Sequence, residues 1–214
     1  MDVFDEIALE WNQYRNFPIS CLKFFLPYLK KNQIALDAGC GNGRNLLEIA
    51  KRCSFVYGID SSNEMVKHAL LNKERKEIKN AELKEGNILD LKFQDSFFNS
   101  IFCTAVLHHL RTKTERERAF SEFYRVLKPN SFLFLSVWNY YQRKFKDSQK
   151  DNFIKWKTTG GSISSRYYHF YEEEEILSLT FDAGFEFYEL FYEKEGRKVN
   201  RVGAANLCCI FTKS

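Results

Sequence analysis

Asp37, Gly39, Gly41 and Gly43 fall within one run, Asp37-Ala-Gly-Cys-Gly-Asn-Gly43, and Asp60 closes the next apolar run, Phe55-Val-Tyr-Gly-Ile59. Glycines at alternate positions after a short apolar strand remove the Cβ atoms that would hold a ligand away from the backbone. They also take the positive φ angles of a tight strand-to-helix turn. An acid at the end of the second strand can accept bonds from both hydroxyls of a ribose, while one at the end of the first can face an ammonium group. The spacing suits one ligand that carries both. A dinucleotide fingerprint would need a glycine at 44, where the chain carries Arg44, and no phosphate-binding lysine follows. The plain alternative is a glycine turn with two capping aspartates.

The D-x-G-C-G-x-G run and the acid at 60 resemble the first two motifs of the class I S-adenosylmethionine-dependent methyltransferases. That resemblance implies S-adenosyl-L-methionine as cofactor. It implies cofactor contacts from Asp37, Gly39, Gly41, Gly43, Asp60, Ser61, Asn87, Ile88 and Ala105. Asn87 and Ile88 would flank the adenine, although Asn87 can also serve simply to cap its turn. His108 and His109 lie at the rim where the methyl group would sit. Adjacent side chains diverge, so one of the two is expected to face the cleft, and the pair without further ligands is a poor metal motif. A hydrogen-bonded structural histidine is the other reading.

The rest of the chain carries a narrower resemblance. Trp138 with Gln142, Phe153-Ile-Lys-Trp156 and Arg166-Tyr-Tyr-His169-Phe-Tyr171 resemble the eukaryotic tRNA wobble-uridine methyltransferases that esterify 5-carboxymethyluridine. So do Phe4-Asp-Glu-Ile-Ala8, Tyr14-Arg15, Pro18 and Asn206. By that resemblance the substrate is the anticodon stem-loop of a tRNA, and a small zinc-binding activator protein completes a heterodimer. Arg15 and Arg166 are then the candidates to hold the substrate carboxylate, with His108, His109, His169 and Asn206 adding hydrogen bonds. A free carboxyl ionises near pH 4, so this nucleophile needs no general base at neutral pH. Exposed tyrosines or Trp156 are expected to stack on a splayed base, and the lysines and arginines between 143 and 157 to follow the phosphates. Two other functions remain open: a methyltransferase acting on a quinone or lipid precursor, with residues 140–165 as a lid, and a non-catalytic methyltransferase-like RNA-binding or scaffold subunit.

Positioning these residues requires a scaffold, and the periodicity supplies one. Residues 4–11 and 20–29 read as helices. Strands at 34–37, 55–59, 82–85, 100–104 and 131–137 then alternate with helices at 44–52, after Ser61 or Ser62, and at 114–127. A helix at 172–182 and a hairpin of strands at 186–191 and 206–212 follow. The expected fold is α/β and Rossmann-like: a mainly parallel seven-stranded sheet with an antiparallel last strand and helices on both faces. Residues 1–214 read as a single methyltransferase domain, with N-terminal helices over 1–33 and a basic insertion over 139–166 near the substrate cleft. The segment 143–166 holds seven basic and two acidic residues, so it carries +5 of a chain whose net charge is +4 and leaves the remainder at −1. Charge that local suits a polyanionic substrate, or a solvated loop. Six cysteines without a C-x-x-C pair argue for reduced thiols and against a disulfide frame or zinc site. Neither a signal-like N-terminus nor a spanning apolar run is present, so a cytoplasmic protein without a membrane contact is expected.

Overall fold

Helix α1 (Val3–Tyr14) presents Phe4, Ile7, Ala8 and Trp11 at helical spacing, and this stripe packs on Met65 and Trp156. The short α2 (Leu22–Phe25) leads to β1 (Ile34–Ala38), then to α3 (Leu46–Ala50) and β2 (Phe55–Asp60). Ser62 caps α4 (Asn63–Arg75) by accepting from the Met65 amide at 3.1 Å. Strands β3 (Ala81–Glu85) and β4 (Phe98–Thr104) precede α5 (Lys113–Val126). Thr112 and Glu115 form a capping box at the start of α5. After β5 (Leu127–Trp138) come β6 (Asp151–Lys157), β7 (Ile163–His169) and α6 (Glu173–Asp182). The chain then runs through β8 (Glu186–Lys194), β9 (Arg197–Lys198) and β10 (Asn206–Lys213). The computed structural model describes residues 3–142, 145, 149–158, 161 and 163–214.

The main sheet has the order β3-β2-β1-β4-β5-β10-β8-β9. Strands β1 to β5 run parallel, and β10 inserts antiparallel to both β5 and β8. The expected seven strands are present; β9 adds an eighth, of two residues, at the edge. Alternation along β5 shows why both faces are covered. Leu133, Leu135 and Val137 pack with Phe120 and Phe123 of α5 and Ile176 of α6, whereas Phe134 points to Phe25 of α2 and Ile49 of α3. Phe134 is fully buried, so truncating it to alanine would cost about 3–5 kcal/mol. All six cysteines are free and buried within these layers.

The basic segment after β5 carries two strands that its pattern does not announce: β6 and β7 form a separate antiparallel ribbon, with Phe153 opposite Tyr167 and Trp156 opposite Ser164. Its period of two is hard to read because the outer face is partly basic and the inner face carries Arg166 as well as aromatic rings. Of the basic residues counted in that segment, Arg143, Lys144 and Lys146 lie outside the described residues. Among the described residues no helix is long and apolar enough to cross a membrane.

Candidate functional site

A cleft of about 480 Å³ opens beyond the carboxyl ends of the strands. One half is built by the glycine bend. Gly39 has φ +77°, and a Cβ there would meet Val106 Cγ2 at 2.3 Å, so only glycine lets the bend close on the residue after β4. Gly41 lines the cleft with nothing within 4 Å of its missing Cβ, the place where a ligand can reach the backbone. Its amide donates to Asp60 Oδ2 at 2.7 Å, and the Ser62 amide donates to Asp60 Oδ1 at 3.0 Å. Those bonds fix the carboxylate at the cleft wall beside Ser61. Asn87, Ile88 and Ala105 line the same half. Asn87 Oδ1 already accepts from the Leu89 amide at 2.9 Å, so its carbonyl oxygen caps the turn. Ala105 is held at φ +60°, a strained angle for a residue with a side chain, at the point where β4 reaches the cleft.

Asp37 and Gly43 belong to the same motif but do not line the cleft. Gly43, at φ +73°, lets the turn pack on Ala69, 3.2 Å from where its Cβ would be. Asp37 is fully buried and neither carboxylate oxygen has a hydrogen-bond partner among the described residues. Burial pushes its pKa up to about 7; nearby Arg44 opposes the rise and Asp60 adds to it. A buried carboxylate without a partner, a glycine cradle and a fixed acid at the second strand fit the cationic adenosyl donor expected from the motifs.

The other half of the cleft is aromatic and cationic. Arg166 is 5% exposed, and its Nε has no acceptor among the described residues. Trp11, Trp156 and Tyr168 surround its guanidinium carbon at 5.4, 5.0 and 5.2 Å from their ring centres. Burial lowers its pKa; Tyr168 opposes that shift and Arg15 adds to it, with no acid in the balance. Arg44 also lines the cleft, and burial together with Arg15 lowers its pKa too, against the pull of Asp37. Two desolvated cations around an open space form a receptor for an anion.

Of the two histidines, His109 lines the cleft and His108 does not. His109 Nδ1 donates to the Tyr167 carbonyl at 2.9 Å, which leaves Nε2 without its proton in the neutral ring. Burial drops its pKa to about 4, the carbonyl bond opposes this and Arg166 reinforces it. His108 is 1% exposed and stacks on Tyr168 at 5.0 Å and 14°; burial lowers its pKa as well, and His109 adds to the fall.

Three further candidates stand away from the cleft walls. Arg15 is exposed just beyond α1, 5.9 Å over the Trp11 ring, and acts on Arg44 and Arg166 only through its field. His169 is buried between two carboxylates, 2.7 Å from Asp151 and 2.7 Å from Glu175, where it ties the ribbon to α6. Asn206 donates to Glu193 Oε2 at 2.7 Å inside the sheet. Trp156 is not a free stacking surface either: its Nε1 donates to Glu10 at 3.1 Å and its ring lies 5.6 Å from Trp11. Sequence reasoning misses Arg44, Phe4 and Trp11 as cleft residues. A signal existed for each, namely a basic residue directly after the glycine bend and an aromatic stripe on α1.

Residues 36–135 match the family model described as a methyltransferase domain. A protein of Encephalitozoon cuniculi (strain GB-M1), named as a methyltransferase with no substrate given, is 34% identical over 90% of this chain and 89% of its own. A tRNA (carboxymethyluridine(34)-5-O)-methyltransferase of Arabidopsis thaliana is 32% identical over 64% of this chain, which spans only 31% of that enzyme. Among solved structures, an S-adenosylmethionine-dependent methyltransferase of Methanosarcina mazei matches at TM-score 0.75 and 24% identity, covering 89% of this chain and 96% of that one. A methyltransferase of Haloferax volcanii, solved in complex with the Trm112 methyltransferase activator, matches at TM-score 0.73 and 16% identity, covering 99% and 98%.

Proposed function

Because the chain belongs to the class I S-adenosylmethionine-dependent methyltransferases, we propose that it methylates the carboxylate of 5-carboxymethyluridine at the wobble position of a tRNA anticodon, giving the methyl ester. The observation that carries this reading is Arg166: a buried guanidinium held between three aromatic rings, with no acceptor for Nε among the described residues and Arg44 on the same cleft. A desolvated arginine with no acidic partner among the described residues calls for an anionic ligand, and a planar fork matches a carboxylate. The names of relatives such as the Arabidopsis enzyme point the same way.

When bound, S-adenosylmethionine supplies a methyl group on a positively charged sulfur. The chain's own residues desolvate and orient the acceptor. Arg166 and Arg44 grip the carboxylate while leaving one oxygen free to attack, which is a task of proximity and orientation. His109, whose pKa lies at about 4, is neutral and a weak base at neutral pH. That suits an acceptor that arrives already ionised and has no proton to give up. Esterification removes the negative charge, so the arginine grip weakens and product release is favoured by the reaction itself.

The partner we assign is the small zinc-binding activator that the family resemblance implies; the Haloferax neighbour was solved with a methyltransferase activator. The open edge of β3 and the exposed Leu70 and Leu71 on adjacent α4 offer it a surface. Free, buried cysteines agree with work in the reducing cytoplasm. To test the reaction, the protein is incubated with and without such an activator, with S-adenosylmethionine and tRNA bearing 5-carboxymethyluridine. Mass spectrometry of the digested nucleosides should show the methyl ester. Its absence in both arms, with cofactor binding intact, would exclude this substrate.

A further inference from the structure

We propose that the outer face of the β6–β7 ribbon, centred on Phe153, is a stacking platform for a nucleotide next to the one that enters the cleft. The assignment rests on the proposed RNA substrate and adds the surface that grips the strand outside the pocket.

The pleat separates two faces with different tasks. Trp156, Arg166 and Tyr168 turn inward to α1 and the cleft. Phe153, Lys155 and Lys157 are exposed on β6, and their partners across the ribbon are Tyr167, Ser165 and Ile163. Phe153 is 57% exposed, an aromatic ring that the core does not use. Its edge is fixed by Tyr167, at 5.7 Å between centroids and 71° between planes. The Arg111 guanidinium carbon lies 6.0 Å from the Phe153 ring centre and 5.9 Å from that of Tyr167. Arg111 and Tyr167 both line the cleft, so the platform is continuous with the site.

Charge identifies the occupant. Arg111 beside the ring, and Lys155 and Lys157 further along the same face of β6, are exposed cations. Asp151, the acid on the same face, is already engaged by Tyr167 Oη and His169. An accessible π-face bordered by cations matches an unstacked base with its phosphates, because stacking recognises any base and the cations follow the backbone. A strand whose reactive base is drawn into the cleft must place its neighbour within reach of this rim.

The test measures binding and methylation of an anticodon stem-loop carrying 5-carboxymethyluridine, using the full chain with its activator. Phe153→Ala should weaken binding by about 5- to 150-fold, the equivalent of one base–aromatic stack. KM should rise in step while kcat at saturation stays within about twofold, and Phe153→Trp should restore affinity. Replacing both Lys155 and Lys157 by alanine should lower the slope of log affinity against log salt by about 1.4, the value for two phosphates of a single strand. If the wild type binds the stem-loop and Phe153→Ala binds it equally well, the platform is excluded while the substrate reading survives. A fall in kcat with unchanged KM also excludes it, by assigning Phe153 to folding of the ribbon. A wild type that binds no RNA overturns both.

Discussion

Asp37→Asn separates the demands of the fold from those of the ligand. In the folded protein the Asp37 carboxyl sits within β1 beside Gly58 and Phe102, fully buried, and its pKa is pushed up to about 7 from 3.8. A raised folded-state pKa means the native protein holds a proton that the unfolded chain has lost between about pH 4 and 7. Stability therefore falls as pH rises through that window and levels off above it. About three pKa units correspond to about 4 kcal/mol, a large share of the roughly 5–15 kcal/mol of a typical domain. Asparagine removes the charge but leaves an amide without a partner, at a cost of about 1–3 kcal/mol. The net gain at pH 8 is then about 1–3 kcal/mol, or about 2–12 °C in Tm for a domain of this size. At pH 5 the native carboxyl is protonated and the gain should vanish. A cationic donor would relieve the buried charge in the wild type, so its Tm shift should be larger at pH 8 than at pH 5, and the variant should lose most of that shift. Differential scanning fluorimetry at both pH values, with and without S-adenosylmethionine, reads all four states. A variant less stable than wild type at pH 8 that binds the donor equally well would refute the reasoning.

Arg166→Ala should reduce methyl transfer by about 100-fold with cofactor affinity retained, the loss of a charge-assisted pair in a dry site, and Arg166→Lys should restore little because lysine lacks the fork. Single-turnover rates together with calorimetry of the donor check this; comparable loss of donor binding would contradict it. Gly39→Ala should destabilise the fold by about 2–5 kcal/mol, since it adds a positive-φ penalty to a clash with Val106 at 2.3 Å. Chemical denaturation measures it, and a loss below about 1 kcal/mol would show that Val106 moves aside freely.

The parts of this molecule that are plain in the sequence are those whose signals are local. The strand, glycine bend and helix around Asp37 need only neighbouring residues to be recognised. The parallel sense of β1 to β5 follows from repeated alternation of strands and helices. What is hidden depends on which face of an element turns inward. Trp156 and Phe153 are both aromatic residues on β6, yet α1 covers the first and leaves the second open. Arg44 falls outside a dinucleotide fingerprint and so argues against one ligand while contributing to the site of another. His169 shares a motif with Arg166, but three positions along a strand put the two on opposite faces, one against the acids of β6 and α6 and the other against the cleft.

The central claim is that arginines hold an acceptor that is already ionised, so that no base is needed. The pH dependence of single-turnover methyl transfer at saturating cofactor, for the wild type and His109→Asn, tests it most directly. The expected rate is flat from about pH 6 to 9, since a carboxyl is ionised throughout, and nearly the same in the variant. A rate that climbs with pH near neutrality in the wild type and loses that limb in His109→Asn would show that a proton is removed during the reaction, and would rule out an acceptor that arrives ionised.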